Sequence, residues 1–153
     1  MPTARPAPEL VARDLRDAPA IPADPRPGTR PLDQTALGAL GIELLHCGPD
    51  HVAVRVALPA HAGGGFGPLL VAAETAASTA ANLRCGPEQR AFGAELDAAS
   101  LTPDAASTRA VVVATELAIH EDRHVWRITA WGDDDQQLLE ARCTLGVVAA
   151  PRD

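Results

Sequence analysis

Gly63-Gly64-Gly65-Phe66-Gly67-Pro68-Leu69-Leu70-Val71-Ala72-Ala73-Glu74-Thr75-Ala76-Ala77-Ser78-Thr79-Ala80-Ala81-Asn82-Leu83 decides the fold: a glycine run opens directly into a long small-residue segment. The pattern predicts a buried central helix with Pro68 at its first position, where a missing N–H costs nothing and φ is already helical. Glycines ahead of it let backbone amides approach a ligand, and those amides with the positive end of the helix dipole polarise a carbonyl oxygen or an anion. One carboxylate, Glu74, stands in this apolar helix, and Ser78 follows one turn later on the same face. Glu74 either reaches solvent or an arginine, or serves as a general base or nucleophile beside an amide-lined pocket. The surroundings favour the second reading.

Working outward, the 153 residues suffice for one domain with a proper core. Two Phe, two Trp and no Tyr mean that the core is built from small side chains packed closely. A formal charge of -7, with no basic patch, argues against a nucleic-acid partner. Cys47, Cys85 and Cys143 are dispersed and odd in number, which is neither a disulfide framework nor a zinc pattern. No run is apolar enough to span a bilayer and no signal peptide is evident, so a cytoplasmic location without membrane association is expected.

Residues 1–31 hold eight of the fourteen prolines, so the stretch cannot run as a continuous helix or strand and is expected to be a flexible arm. One short helical turn is expected within it, near Glu9 to Leu15. Order is expected from Leu32, with Asp33 capping a short helix that Gly41 ends. Ile42 to Cys47 reads as a strand, and Val52, Val54, Val56 and Leu58 alternate with polar or small residues in a second, forming a hairpin ahead of the helix. Beyond it, Ala91 to Leu101, Arg109 to Ile119, His124 to Trp131 and Leu138 to Val148 read as strands. Short connections imply antiparallel neighbours. The sum is an α+β domain, an antiparallel sheet wrapped around one long central helix.

His120-Glu121-Asp122-Arg123-His124 matches the zinc-protease H-E-x-x-H pattern, which works only on a helix and needs a third ligand. Here it joins two β-branched runs and reads as a hairpin turn. Asp133-Asp134-Asp135 likewise reads as a turn rather than a calcium loop. No metal is expected.

The order of elements, together with Gly67-Pro68-Leu69-Leu70-Val71-Ala72-Ala73-Glu74-Thr75-Ala76-Ala77-Ser78, resembles the hotdog-fold acyl-CoA thioesterases. The branch it resembles most is that of the 4-hydroxybenzoyl-CoA, phenylacetate-pathway and 1,4-dihydroxy-2-naphthoyl-CoA enzymes. The likeness continues through Gly93 to Ala98 and Val125 to Thr129 and ends at Cys143 to Val148, giving a hotdog domain over 32–149 and a tail over 150–153. It implies Glu74 as catalytic carboxylate, Ser78 as the hydroxyl that places water or substrate, and the amides of Phe66 and Gly67 as an oxyanion hole. Gly65, His61 and Ser100 are implied on the substrate side. Where the family carries His-Gly-Gly, this chain reads Gly65-Phe66-Gly67; where it carries Asn or Gln, Pro59 stands, and His61 is the candidate substitute. Its polar His and Arg positions fall on Ser100, Leu101 and Thr102.

The resemblance further implies an acyl-CoA thioester as substrate, no separate cofactor, and a homodimer or homotetramer joined along sheet edges with a shared pocket; a lining of Ala, Leu and Phe66 suggests an apolar or aromatic acyl group. Arg84, Arg90 and Arg142 are candidates to meet coenzyme A phosphates. The missing histidine and amide motivate a rival, a non-catalytic acyl-thioester-binding or scaffolding protein. A dehydratase of the same fold is weaker, because its paired histidine and acidic residue are not evident.

Overall fold

The computed structural model describes residues 6–21, 36–60, 65–103 and 105–150. Helix α1 (Pro8–Leu15) and the short α2 (Ala36–Ala39) precede a hairpin of β1 (Glu43–Cys47) and β2 (His51–Ala57). The long helix α3 (Phe66–Arg84) follows, and then β3 (Gln89–Ser100), β4 (Arg109–Ile119), β5 (Arg123–Gly132) and β6 (Gln137–Ala149). The six strands form one antiparallel sheet in the order β1-β2-β4-β5-β6-β3. Short turns join the antiparallel neighbours β1–β2, β4–β5 and β5–β6, whereas β2–β4 and β3–β6 pair across longer stretches of chain. The expected strands are all present, with ends within two residues of those expected and β4 unchanged.

One face of the sheet closes on α3. Its alanines 72, 73, 76, 77, 80 and 81 are buried, so the helix axis lies close to the strands. They meet Val52, Val54 and Val56 of β2, Val112 of β4, Trp126 and Ile128 of β5, and Leu139 and Leu145 of β6 in one apolar cluster. Alternate residues of β5 (Trp126, Ile128, Ala130) and of β6 (Leu139, Ala141, Cys143, Leu145) belong to this core. Pro68 corrects the expected helix start: α3 begins at Phe66 with Gly65 as N-cap, placing Pro68 third rather than first. The reason is the same, since an N–H in the first turn has no partner inside the helix. Gly41 ends α2 with φ +61, and the bonds Gly41 N–H to Gly38 O (3.2 Å) and Ile42 N–H to Leu37 O (2.8 Å) complete a Schellman turn. Asp33, its expected cap, lies outside the described residues.

The helical turn expected near Glu9 to Leu15 is present, while the flexible arm expected around it is corrected over the described residues 6–21. Pro8–Leu15 is a helix docked on the opposite face of the sheet, where Val11 and Ala12 pack against Leu45, Ala53, Val111 and Val113. The acidic β5–β6 turn holds it: Arg16 hydrogen-bonds Asp135, Arg13 pairs with Asp135 at 3.6 Å, and Arg109 bridges Asp133 (2.8 Å) to Asp17 (2.7 Å). Arg55 donates to the carbonyls of Arg16 and Ala18, both at 3.0 Å, and Ile21 N–H reaches Leu44 O of β1 at 2.7 Å. These bonds link residues far apart in the chain, so no local pattern announces them.

The H-E-x-x-H stretch is the β4–β5 turn, closed by His120 N–H to Arg123 O at 2.8 Å. His120 and Glu121 are exposed while His124 points into the core, so the arrangement a helical zinc site requires is not formed.

Candidate active site

Helical spacing places Glu74, Ser78 and Asn82 on one line of α3, facing the edge strand β3. Ser78 Oγ donates to Glu74 Oε1 at 2.6 Å, which fixes the carboxylate. Glu74 is half-buried and lines an open pocket of ≈ 260 Å³ with Gly93, Ala94, Glu95 and Leu96 of β3 and Cys143 of β6. The Cys143 thiol is buried at the floor; burial first, and then the charge of Glu74, push it up to about 11. At neutral pH it is a neutral thiol, which leaves the carboxylates of Glu74 and Glu95 as the groups of this lining able to take a proton, and Glu74 is the one that Ser78 holds.

The helix start forms a second, smaller recess of ≈ 60 Å³ lined by Pro59, Gly65, Phe66, Leu69, Ser100 and Thr102 among others. Among the described residues the first helical bond runs from Leu69 N–H to Gly65 O (3.1 Å), and the N–H groups of Phe66 and Gly67 lie ahead of it. N–H groups ahead of the first helical bond are the kind that a carbonyl or an anion takes at a helix start.

The structure thus divides the residues singled out in the sequence. Gly65, Phe66 and Ser100 line the helix-start recess, Gly67 sits exposed beside them, and Glu74 and Ser78 belong to the other pocket. His61 lies outside the described residues. Phe66 and Glu74 are eight positions apart on α3, about 12 Å along the axis, too far for one chain's amide and carboxylate to meet one carbonyl group. Of the arginines offered for phosphate, Arg84 is committed to Glu116 and the Pro49 carbonyl, both at 2.7 Å, while Arg90 and Arg142 are exposed. Among the described residues no group of three or more His, Cys, Asp or Glu is placed to hold a metal ion. No described helix is long and apolar enough to cross a membrane.

Two features escaped the sequence reading. Asn82 closes the polar line of α3, and Gly93 lies directly over Glu74: a Cβ built on Gly93 would stand 3.1 Å from Glu74 Oε1. The i+4 step from Ser78 to Asn82 was the available signal for the first. Nothing local marks the second.

No protein-family model matches the chain, and no curated protein is significantly similar to it. Solved structures are similar. A thioesterase from Haemophilus influenzae, HI1161, superposes with TM-score 0.71 at 23% identity over 79% of this chain and 87% of that one. A point mutant of thioesterase PA1618 from Pseudomonas aeruginosa gives TM-score 0.71 at 27% identity, covering 77% and 88%. The PaaI protein of the Escherichia coli phenylacetic acid degradation operon gives 0.68 at 18%, again covering 77% and 88%. The expected fold, a hotdog sheet around a central helix, is the fold of this chain.

Proposed function

We propose that the chain is an acyl-CoA thioesterase in which Glu74 acts as base or nucleophile. The observation that carries this reading is the hydroxyl-anchored carboxylate of the central helix, half-buried at an open pocket against the edge strand. The thioesterases among the similar structures support the reaction class. A thioester carbonyl accepts from the amides of Phe66 and Gly67, where loss of one oxyanion donor typically costs about 2.7–4 kcal/mol. Glu74 then activates water or attacks the carbonyl carbon, and coenzyme A leaves as the thiol. The apolar lining of Leu58, Leu69, Phe66 and Leu138 suits an apolar or aromatic acyl group.

The separation of amides from carboxylate supports a site shared between two copies, with one copy's helix start facing the other's Glu74. The exposed edge strand β3 supports their union along the sheet edge. Release of free thiol from a panel of aromatic and aliphatic acyl-CoA thioesters tests the reaction. Mixing inactive Glu74→Gln with inactive Phe66→Pro, which lacks the N–H yet suits a first helical position, tests the sharing. Random reassortment into dimers restores about a quarter of the wild-type rate when the site is shared, and none when it is not. A second reading, acyl-thioester binding without hydrolysis, is favoured by one feature, Pro59 in the helix-start recess where the resemblance calls for an amide side chain. Tight binding of a thioester with no thiol release would establish it.

A further inference from the structure

We propose that Asn82 is a positioning residue and that it acts on Glu74 through the edge strand; this rests on the thioesterase reading above. The Asn82 side chain binds the backbone of Ala91 twice: Nδ2 donates to Ala91 O at 2.9 Å, and Ala91 N–H donates to Oδ1 at 3.1 Å. Nδ2 also donates to Ser78 O at 2.9 Å. One primary amide therefore ties the turn of α3 that carries Ser78 to the start of β3.

The geometry explains why the tie matters. In an antiparallel pair, N–H and C=O of one residue point to the same side. Both groups of Ala91 are taken by Asn82, so they point away from β6, its neighbour in the sheet. The amide thus replaces a strand neighbour at this position on the outer edge. Any strand that pairs along β3 meets a blocked position at Ala91 and has only the stretch from Gly93 onward.

Gly93 follows two residues later on the same face, over the carboxylate. A Cβ there would lie 3.1 Å from Glu74 Oε1, tighter than ordinary van der Waals contact, so the carboxylate would have to give way. The clamp sets how close β3 lies to α3, and the missing side chain at Gly93 leaves the carboxylate open to the pocket. Asn82 and Gly93 together hold the gap in which Glu74 works.

The test compares Asn82→Ala and Gly93→Ala with wild type in the full-length protein. Three readouts are used: kcat and KM on the thioester that wild type hydrolyses fastest, thermal melts, and NMR titration of the ¹³C-labelled Glu74 carboxyl. Asn82→Ala is expected to lower kcat about tenfold or more with KM changed less than threefold, because positioning acts in the transition state. Gly93→Ala crowds and desolvates the carboxylate, so its titration and the acid limb of kcat are expected to move to higher pH by about half a unit or more. Asn82→Asp keeps the size but loses both donated bonds; should Asn82→Ala not fold, it takes its place, and Asn82→Gln, which keeps the amide, is expected to recover part of kcat. Unchanged Glu74 titration together with unchanged kcat in folded variants would overturn the proposal. If wild type hydrolyses no thioester, the functional reading falls. The titration then decides the positioning role alone, a shift in both alanine variants sustaining it and no shift refuting it.

Discussion

The two faces of the sheet are covered in different ways. The inner face meets a helix of alanines packed directly on valine, isoleucine and tryptophan, with the paired Glu74 and Ser78 on its margin toward β3. The outer face meets an eight-residue helix that buries only Val11 and Ala12 and is fastened around its edges by arginine–aspartate contacts. Burial of apolar area is insensitive to salt, whereas exposed ion pairs are screened by it. The inner face should therefore govern stability and chemistry, and the outer face should respond to ionic strength.

The largest expected effect is on the inner margin. Glu74→Gln keeps the Ser78 contact possible but removes the base, and thiol release is expected to fall about 10²–10⁴-fold, the range for a lost general base. An unchanged rate would remove Glu74 from the chemistry. Next comes the core itself: Trp126 is 1% exposed, paired in register with Glu116 and Cys143. Trp126→Ala is expected to cost about 3–5 kcal/mol in denaturant unfolding. Trp126→Phe should cost less, since the indole Nε1–H has no protein partner among the described residues and its removal leaves no bond unmade. Equal losses in the two variants would show that the indole N–H is satisfied.

How far each face was legible follows from the same contrast. The inner face was read because local periodicity encodes it: alternation along β2, β5 and β6, and a small-residue helix with an i, i+4 carboxylate and hydroxyl. The hairpin at His120 to Arg123 was legible for a similar reason, since β-branched runs flank it. Docking of α1 was not legible, because Arg16, Arg55 and Arg109 find partners far along the chain. Asn82 was missed because its partner is a main-chain group, and a backbone amide looks the same at every residue. The two-pocket division was missed because sequence order gives no distance between a helix start and its middle.

A smaller effect is expected with pH, at the end of the molecule where α3 finishes. His124 lies below its ordinary value of 6.5, through burial first and then the Arg84 charge, opposed by Glu116 and by a hydrogen bond to the Ala81 carbonyl. His51, stacked on His46 with ring centroids 4.2 Å apart, is lowered by burial and by that neighbour, against Asp50. Both take up a proton less readily in the fold than in the unfolded chain, which protonates near 6.5, so the unfolded state binds more protons as pH falls through that range. Stability is expected to be full above that pH and to decline below it, through the folded-state values. Melts at pH 7.5 and 5.5 check this, and His124→Gln should flatten the difference. A midpoint that rises on acidification would contradict it.

The smallest effect belongs to the outer face and is the sharpest test of the contrast. Asp135 sits at φ 62 in the β5–β6 turn, and its carboxyl is held below the usual range chiefly by the Arg16 guanidinium and further by Arg13. Both partners of the wider Arg13 contact are about half exposed, 58% and 48% for the side chains, where such contacts add little and salt removes most of it. Asp135→Asn is expected to speed amide exchange in α1 at low ionic strength and to leave thioester hydrolysis unchanged, since Glu74 lies on the other side of the sheet. At about 1 M salt the Debye length shrinks to about 3 Å, and the mutant and wild type should exchange alike. A difference that persists in high salt would mean that Asp135 holds α1 by hydrogen-bond geometry rather than by charge. The outer helix would then be fastened as firmly as its small apolar contact with Val111 and Val113 allows, and the two faces would differ in area but not in kind.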